Sequence, residues 1–252
     1  MSAVSKTLAL GSMLVTALWL TPATALDDQQ KKEMGEFIRE YLLENPEIML
    51  EVQSALEAKQ QSQRMALAGE AVAANHDAIF SSEDDIVLGN PEGDVTIVEF
   101  FDYNCGYCKR ALHDMDQILQ NDPNVRFVLK ELPILGPDSL AAHRVANAVR
   151  LLAPEKYADF HRALLGATGM ATEESAIEVA TALGLKEADL RKSMEENPND
   201  DLVRQAYQLA TNLGLTGTPT YVVGDEALFG AVGREAIEEK VANVRECGKS
   251  TC

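Results

Sequence analysis

The run Val95 to Phe101 (VTIVEFF) is β-branched or aromatic almost throughout and has strand length. Four residues later the chain opens a stretch, Cys105 to Gln120, that reads as a helix. Asn121-Asp122-Pro123-Asn124 reads as a turn, and Val125 to Leu132 (VRFVLKEL) as the next strand. A strand–helix–strand succession with so apolar a first strand requires a sheet covered by helices, which puts the chain in the α/β class. A short strand, Ile86-Val87-Leu88, precedes it and is closed by the turn signals Gly89-Asn90-Pro91 and Gly93-Asp94.

Strand signals then stop until Thr220–Val223. Ala141, Val145, Ala148 and Leu152 fall at helical spacing, and further helical patterns cover Glu155–Leu165, Thr172–Leu183 and Lys186–Glu196. Leu202, Ala206, Leu209 and Leu213 repeat the spacing on a fifth helix. After Thr220–Val223 and a strand around Leu228–Phe229, a last helix carries Ile237, Val241 and Val244. The layout is a sheet domain, residues 83–252, interrupted by a helical block at about 136–199.

The N-terminus has a different character. Lys6 precedes the apolar run Leu8 to Leu20 and the small triplet Ala23-Thr24-Ala25, the parts of a secretory signal peptide over residues 1–25, cleaved after Ala25. The run is shorter than the ~20 residues a spanning helix needs; an uncleaved anchor is the competing reading. From Leu26 to Ser82 the sequence is helical. Met34, Phe37, Ile38, Tyr41 and Leu42 share one stripe, Asn45-Pro46-Glu47 breaks it and starts a second helix, and Ile48, Val52, Ala55 and Leu56 continue there. With no strand to pack on, that stripe is expected either to dock on the main domain or to join copies of the chain, and self-association is the favoured expectation.

Export implies an oxidising compartment, where disulfides form. The four cysteines come as two close pairs, Cys105/Cys108 and Cys247/Cys252. Cys105-Gly106-Tyr107-Cys108 sits where a strand hands over to a helix, so the amides and dipole at the helix start favour a Cys105 thiolate, with Lys109 and Arg110 adding positive charge. Cys108, further inside, would be the resolving thiol. Metal binding by the four sulfurs competes, because C-x-x-C is also zinc-ligand spacing. Against it, C-x4-C is marginal spacing, no His stands nearby, and the strand-to-helix context is redox-like; no metal or cofactor is expected. Cys247 and Cys252 read as a surface disulfide, with a second redox pair relaying to Cys105–Cys108 as the alternative.

Thr216-Gly217-Thr218-Pro219-Thr220 stands before the strand Tyr221-Val222-Val223. A proline there is commonly a trans turn residue. Beside a C-x-x-C it has an alternative, a cis Thr218–Pro219 bond that would turn the Thr218 backbone towards a substrate chain.

Taken together, VEFFDYNCGYCKR (Val98–Arg110), the helical block after the second core strand and TGTPTYVVG (Thr216–Gly224) resemble the DsbA-like proteins of the thioredoxin superfamily. The resemblance implies a thioredoxin fold with an inserted helical domain, preceded by an N-terminal helical extension. It implies Cys105 as nucleophile, Cys108 as resolver and Pro219 as the cis-proline. Glu99 matches an acidic residue beneath the active site; it is either a proton-transfer group or a partnered core carboxylate. Lys130 or Glu131 could face it across the sheet, but alternation permits only one of them. The Gly106-Tyr107 dipeptide and Thr218 look like the DsbC-type isomerases rather than the DsbA oxidases. Residues 26–82 resemble the extension of ScsC-like proteins, where such segments join copies.

The expected activity is therefore thiol–disulfide exchange on client proteins with cysteines, as isomerase or reductase, with a membrane or periplasmic redox partner. A dithiol oxidase is the close alternative and a non-catalytic envelope chaperone the third. The balance of 22 Lys+Arg against 40 Asp+Glu, a net charge of −18, argues against nucleic acid or anionic lipid as a partner. His76, His113, His143 and His161 lie in helical stretches without a motif around them and are expected to be solvated or packed.

Overall fold

The structure is a computed structural model that describes residues 26–252 apart from Glu83 and Asp85. Residues 1–25, expected to be a signal peptide, lie outside the described residues. The chain divides into two compact units, Met1–Leu56 and Glu57–Cys252.

The described part of the first unit is helical. α1 (Asp28–Glu44) starts at Asp27, whose carboxylate accepts from the Gln30 amide while the Gln30 side chain accepts from the Asp27 amide. It ends at Asn45, where Asn45-Pro46 interrupts the helical run as expected. α1 buries no residue, and Phe37, Leu43 and, on the following helix, Leu50 are each about two-thirds exposed (66%, 70% and 68%). α2 (Glu47–Ala74) begins in this unit and ends in the second.

The helical extension expected over 26–82 does not stay apart from the sheet: its second half belongs to the second unit. Ala68 and Val72 of α2 and Ile79 of α3 (His76–Phe80) are buried against Val98, Phe100, Val128 and Val222. Small side chains at 68 and 72 let α2 lie close to the sheet. Lys130 Nζ donates to the Ala78 carbonyl at 2.7 Å and Arg126 to that of Phe80 at 3.3 Å, fixing the end of α3.

The sheet has five strands: β1 (Ile86–Gly89), β2 (Val95–Phe101), β3 (Val125–Glu131), β4 (Thr220–Val223) and β5 (Glu226–Phe229), in the order β1-β3-β2-β4-β5. Only β2 and β3 are parallel, joined by α4 (Gly106–Asn121); the other pairs are antiparallel. β2 is central and buried on both faces, which explains why its sequence lacks the apolar–polar alternation of a half-exposed strand. Phe100, on one face, and Phe101, on the other, are fully buried, each contributing roughly 2–3 kcal/mol of transfer free energy.

Ile97 and Phe101 face a core completed by α4, α10 (Arg234–Cys247) and the helical insertion: α5 (Pro137–Leu152), α6 (Tyr157–Gly166), α7 (Glu173–Ala182) and α8 (Glu187–Glu196). α5 is the hub of the insertion. Its alanines at 142, 146 and 148 are buried and allow close helix packing. α9 (Asp200–Asn212) crosses back and places Leu209 and Ala210 on the opposite face of the sheet, beside α2 and α3. At the end of β1, Gly89 has φ +88°, and a Cβ there would fall 2.3 Å from Leu119.

Candidate active site

Cys105 caps α4. Its φ and ψ are extended, and its Sγ accepts from the Cys108 amide at 3.4 Å. From the other side the Thr218 carbonyl accepts from Sγ at 3.1 Å. Thr218 stands there because the Thr218–Pro219 peptide is cis and leads directly into β4, the neighbour of β2. Both thiols are free and buried, Cys105 at 6% exposure and Cys108 at none. The outer flank is open: Gly106 and Tyr107 are exposed, and the Arg110 guanidinium lies 4.3 Å from the centre of the Tyr107 ring.

The environment separates the two thiols. The hydrogen bond from the Cys108 thiol is the largest influence on Cys105 and, with the Thr218 side chain and the amides of residues 107 and 108, overcomes burial to hold Cys105 at about 5, against 9.0 for an ordinary thiol. The same hydrogen bond, then burial, pushes Cys108 far up. Such a pair presents one thiolate able to attack and one thiol kept in reserve.

Glu99 lies on the same face of β2, paired in register with Tyr221 and Leu129. It is 3% exposed, and burial, followed by the negative charge of Cys105, raises its carboxyl to about 8, opposed in part by a hydrogen bond with Tyr221. Lys130 falls on the other face, at α3, and Glu131 accepts from the Tyr157 hydroxyl at 2.7 Å.

That last contact belongs to a buried polar network that sequence reasoning missed. Tyr103 OH lies 3.1 Å from Tyr157 OH and 3.4 Å from His161 Nδ1, and Glu131 lies 3.3 Å from His143 Nδ1. Both histidines are buried, and burial lowers His161 to about 3. By contrast His76 and His113 are exposed. The partners come from β3, α5, α6 and the loop before Cys105, so no local motif could reveal them.

Cys247 and Cys252 form a disulfide. Arg245, two residues earlier, pairs with Asp94 and Asp122. Those carboxylates mark the start of β2 and the end of α4 opposite Cys105, and an α4 of 16 residues is about 24 Å long. The Cys247–Cys252 pair therefore lies towards the end of α4 remote from Cys105. The exposed pair closes the C-terminal tail, whose Ser250 amide and hydroxyl both donate to Asp225.

A dithiol of this asymmetry, on a strand-to-helix junction and facing a cis-proline loop, defines a thiol–disulfide oxidoreductase of the thioredoxin fold. The comparisons narrow the class. Residues 96–242 match the family described as DSBA-like thioredoxin domain, and residues 30–63 match that described as copper resistance protein ScsC N-terminal domain. The chain belongs to the DsbA-like thioredoxin-domain family. Among solved structures it resembles a thioredoxin-like oxidoreductase from Silicibacter pomeroyi DSS-3, with 42% identity and a TM-score of 0.65 over 69% of this chain and 99% of that one. A Proteus mirabilis ScsC linker-deletion variant matches at 28% identity and a TM-score of 0.62, over 89% of this chain and 97% of that one. Among curated relatives, disulfide bond formation protein D of Bacillus subtilis is 24% identical over 62% of this chain and 74% of its own length. The chain also spans about a quarter (24%) of the length of two Salinispora Na+/H+ antiporters, at 24–25% identity.

Proposed function

We propose that this chain is an exported disulfide isomerase or reductase that works as a homo-oligomer. The observation that carries the reading is the acidic Cys105 sulfur beside the Thr218 backbone, with the resolving thiol of Cys108 held protonated beneath it. A client chain lies along the Thr218 backbone, where Pro219 brings no N–H to compete. The Cys105 thiolate attacks one sulfur of a client disulfide; the new Cys105–client bond forms as the old S–S bond breaks, and the released client sulfur leaves as thiolate. In isomerisation a second client thiolate attacks the mixed disulfide and regenerates Cys105. In reduction Cys108 attacks instead, forming Cys105–Cys108 and releasing the client thiolate. The Cys108 proton passes to the Glu99 carboxylate. Burial is the larger cause of the raised Glu99 carboxyl and the Cys105 charge the second, so mixed-disulfide formation, which removes that charge, brings Glu99 closer to the carboxylate form that accepts the proton. A periplasmic or membrane redox partner then returns Cys105–Cys108 to the dithiol.

The oligomer reading rests on the α1 stripe of Met34, Phe37, Ile38 and Tyr41, which is exposed among the described residues, with Leu50 exposed on the following helix. Several thiolates facing one cleft suit an isomerase. Likeness to the ScsC N-terminal domain over residues 30–63 supports the same reading. The periplasmic location rests on the basic, apolar and small-residue signals of residues 1–25.

A dithiol oxidase is the second reading, and one observation favours it: a stabilised Cys105 thiolate also stabilises the reduced form, which makes the disulfide form a good donor. Reactivation of scrambled ribonuclease in a mildly reducing glutathione buffer separates the two. Recovery that needs Cys105, and that falls in a Phe37→Glu/Leu50→Glu variant found smaller by light scattering, supports the isomerase. Fast disulfide donation to reduced ribonuclease without reactivation of the scrambled form supports the oxidase. Failure of both, with undiminished client protection in Cys105→Ser, leaves the chaperone.

A further inference from the structure

We propose that Asn104 is a positioning residue that, with Lys109, ties the placement of the Cys105 sulfur to residues 167–171 of the helical insertion. The inference rests on the thiol–disulfide reading of Cys105.

Asn104 precedes the helix cap and is half-buried. Its side-chain amide engages both backbone groups of one residue of the insertion: Oδ1 accepts from the Ala171 N–H at 2.7 Å and Nδ2 donates to the Ala171 carbonyl at 2.9 Å. A paired donor and acceptor in one plane fixes orientation as well as distance, which a single hydrogen bond does not. Nδ2 also donates to Ser139 Oγ at 3.0 Å.

The grip continues into the turn that carries Cys105. Ser139 Oγ donates to Asp102 Oδ1 at 2.8 Å, the same oxygen accepts from the Asn104 amide at 2.7 Å, and the Asp102 carbonyl accepts from the Cys105 amide at 3.0 Å. One turn into α4, Lys109 Nζ donates to the carbonyls of Ala167 and Gly169 at 2.9 and 2.7 Å. The segment is therefore held on both sides of the cap. It is irregular, with Gly169 at φ +95°, so these polar contacts and the burial of Ala171 are what locate it.

The Cys105 sulfur is held by directed contacts: it accepts from the Cys108 amide, the contact that favours the thiolate, and as a thiol it donates to the Thr218 carbonyl. Loosening the 102–105 turn lets Sγ leave that geometry. Asparagine is the residue for this grip: aspartate has no donor, and glutamine places its amide one methylene too far.

The test is the pH profile of Cys105 alkylation in the reduced full-length chain. Asn104→Ala should move the midpoint upward and cut alkylation below it roughly fivefold, about the worth of one hydrogen bond. Exchange with a small disulfide should slow in parallel. Val145→Ala, which thins the buried core of α5 without touching the grip, should lower Tm and leave the midpoint in place. An Asn104→Ala midpoint unchanged, or a Val145→Ala midpoint equally displaced, would overturn the positioning role. If Asn104→Ala does not fold, Asn104→Ser is judged by the same criterion. Should the unsubstituted chain fail to react with disulfides at all, the exchange reading fails; should it react normally while Asn104→Ala matches it, only the positioning fails.

Discussion

Acidification should destabilise the reduced protein selectively through Cys105. The folded chain holds this thiol at about 5, whereas the ordinary value is 9.0. A depressed acid contributes stability that is fully present above its unfolded pKa and is lost as pH falls through its folded pKa. Between about pH 5 and about pH 7 the folded chain therefore keeps a thiolate while the unfolded chain keeps a thiol, each pH step contributing about 1.4 kcal/mol. That gives about 2.7 kcal/mol at about pH 7, reduced to about 2 kcal/mol once solvent at the sulfur's open edge is allowed for. Urea unfolding of the reduced protein and of Cys105→Ser, from about pH 7 to about pH 4, measures the term as the difference between two stabilities. The difference should shrink by about 2 kcal/mol, most of it between about pH 7 and about pH 5. Glu99, which the Cys105 charge raises, is coupled to this thiol, so the comparison is repeated in a Glu99→Gln background; curves parallel in both would refute the argument that hydrogen bonds at the α4 terminus hold the thiolate.

Glu99→Gln should do two things. Burial raises this carboxyl to about 8, so the folded chain increasingly resists its ionisation as pH rises from the ordinary value of 4.5, and an amide there should stabilise the reduced protein by about 2 kcal/mol near pH 7. The same variant should let the mixed disulfide accumulate in quenched-flow exchange, with release slowed roughly 10²-fold; wild-type release would exclude Glu99 as proton acceptor. Tyr157→Phe removes the hydroxyl between Tyr103 and Glu131 and should cost about 1–3 kcal/mol in urea unfolding, while the pH midpoint of Cys105 stays put. Cys247→Ser/Cys252→Ser opens a loop with a sequence separation of 5 and should cost about 2 kcal/mol, with exchange rates unchanged because the pair lies at the far end of α4. A change in exchange rate would revive the relay.

Local chemistry made much of this chain legible. Val95–Phe101 could only be a strand buried on both faces, and C-x-x-C at its helix junction needed only the backbone amides that follow it to acidify the first sulfur. Asn45-Pro46 broke the N-terminal helices through its own backbone restrictions, without help from tertiary contacts. Periodicity, by contrast, could show that α2 has an apolar stripe but not what covers it; burial of Ala68 and Val72 under the sheet depends on where α3 and α9 leave room. Alternation could say that Lys130 and Glu131 face opposite ways, yet only the packed helices decided that one reaches the Ala78 carbonyl and the other Tyr157. The Asn104 grip and the Tyr103–His161 network join residues more than fifty positions apart. The sequence determined the elements and the reacting atoms because those follow from contacts within a few residues. Tertiary structure alone decided which polar groups support them, since a buried hydrogen bond has no period and leaves no signal in the chain until its partners meet.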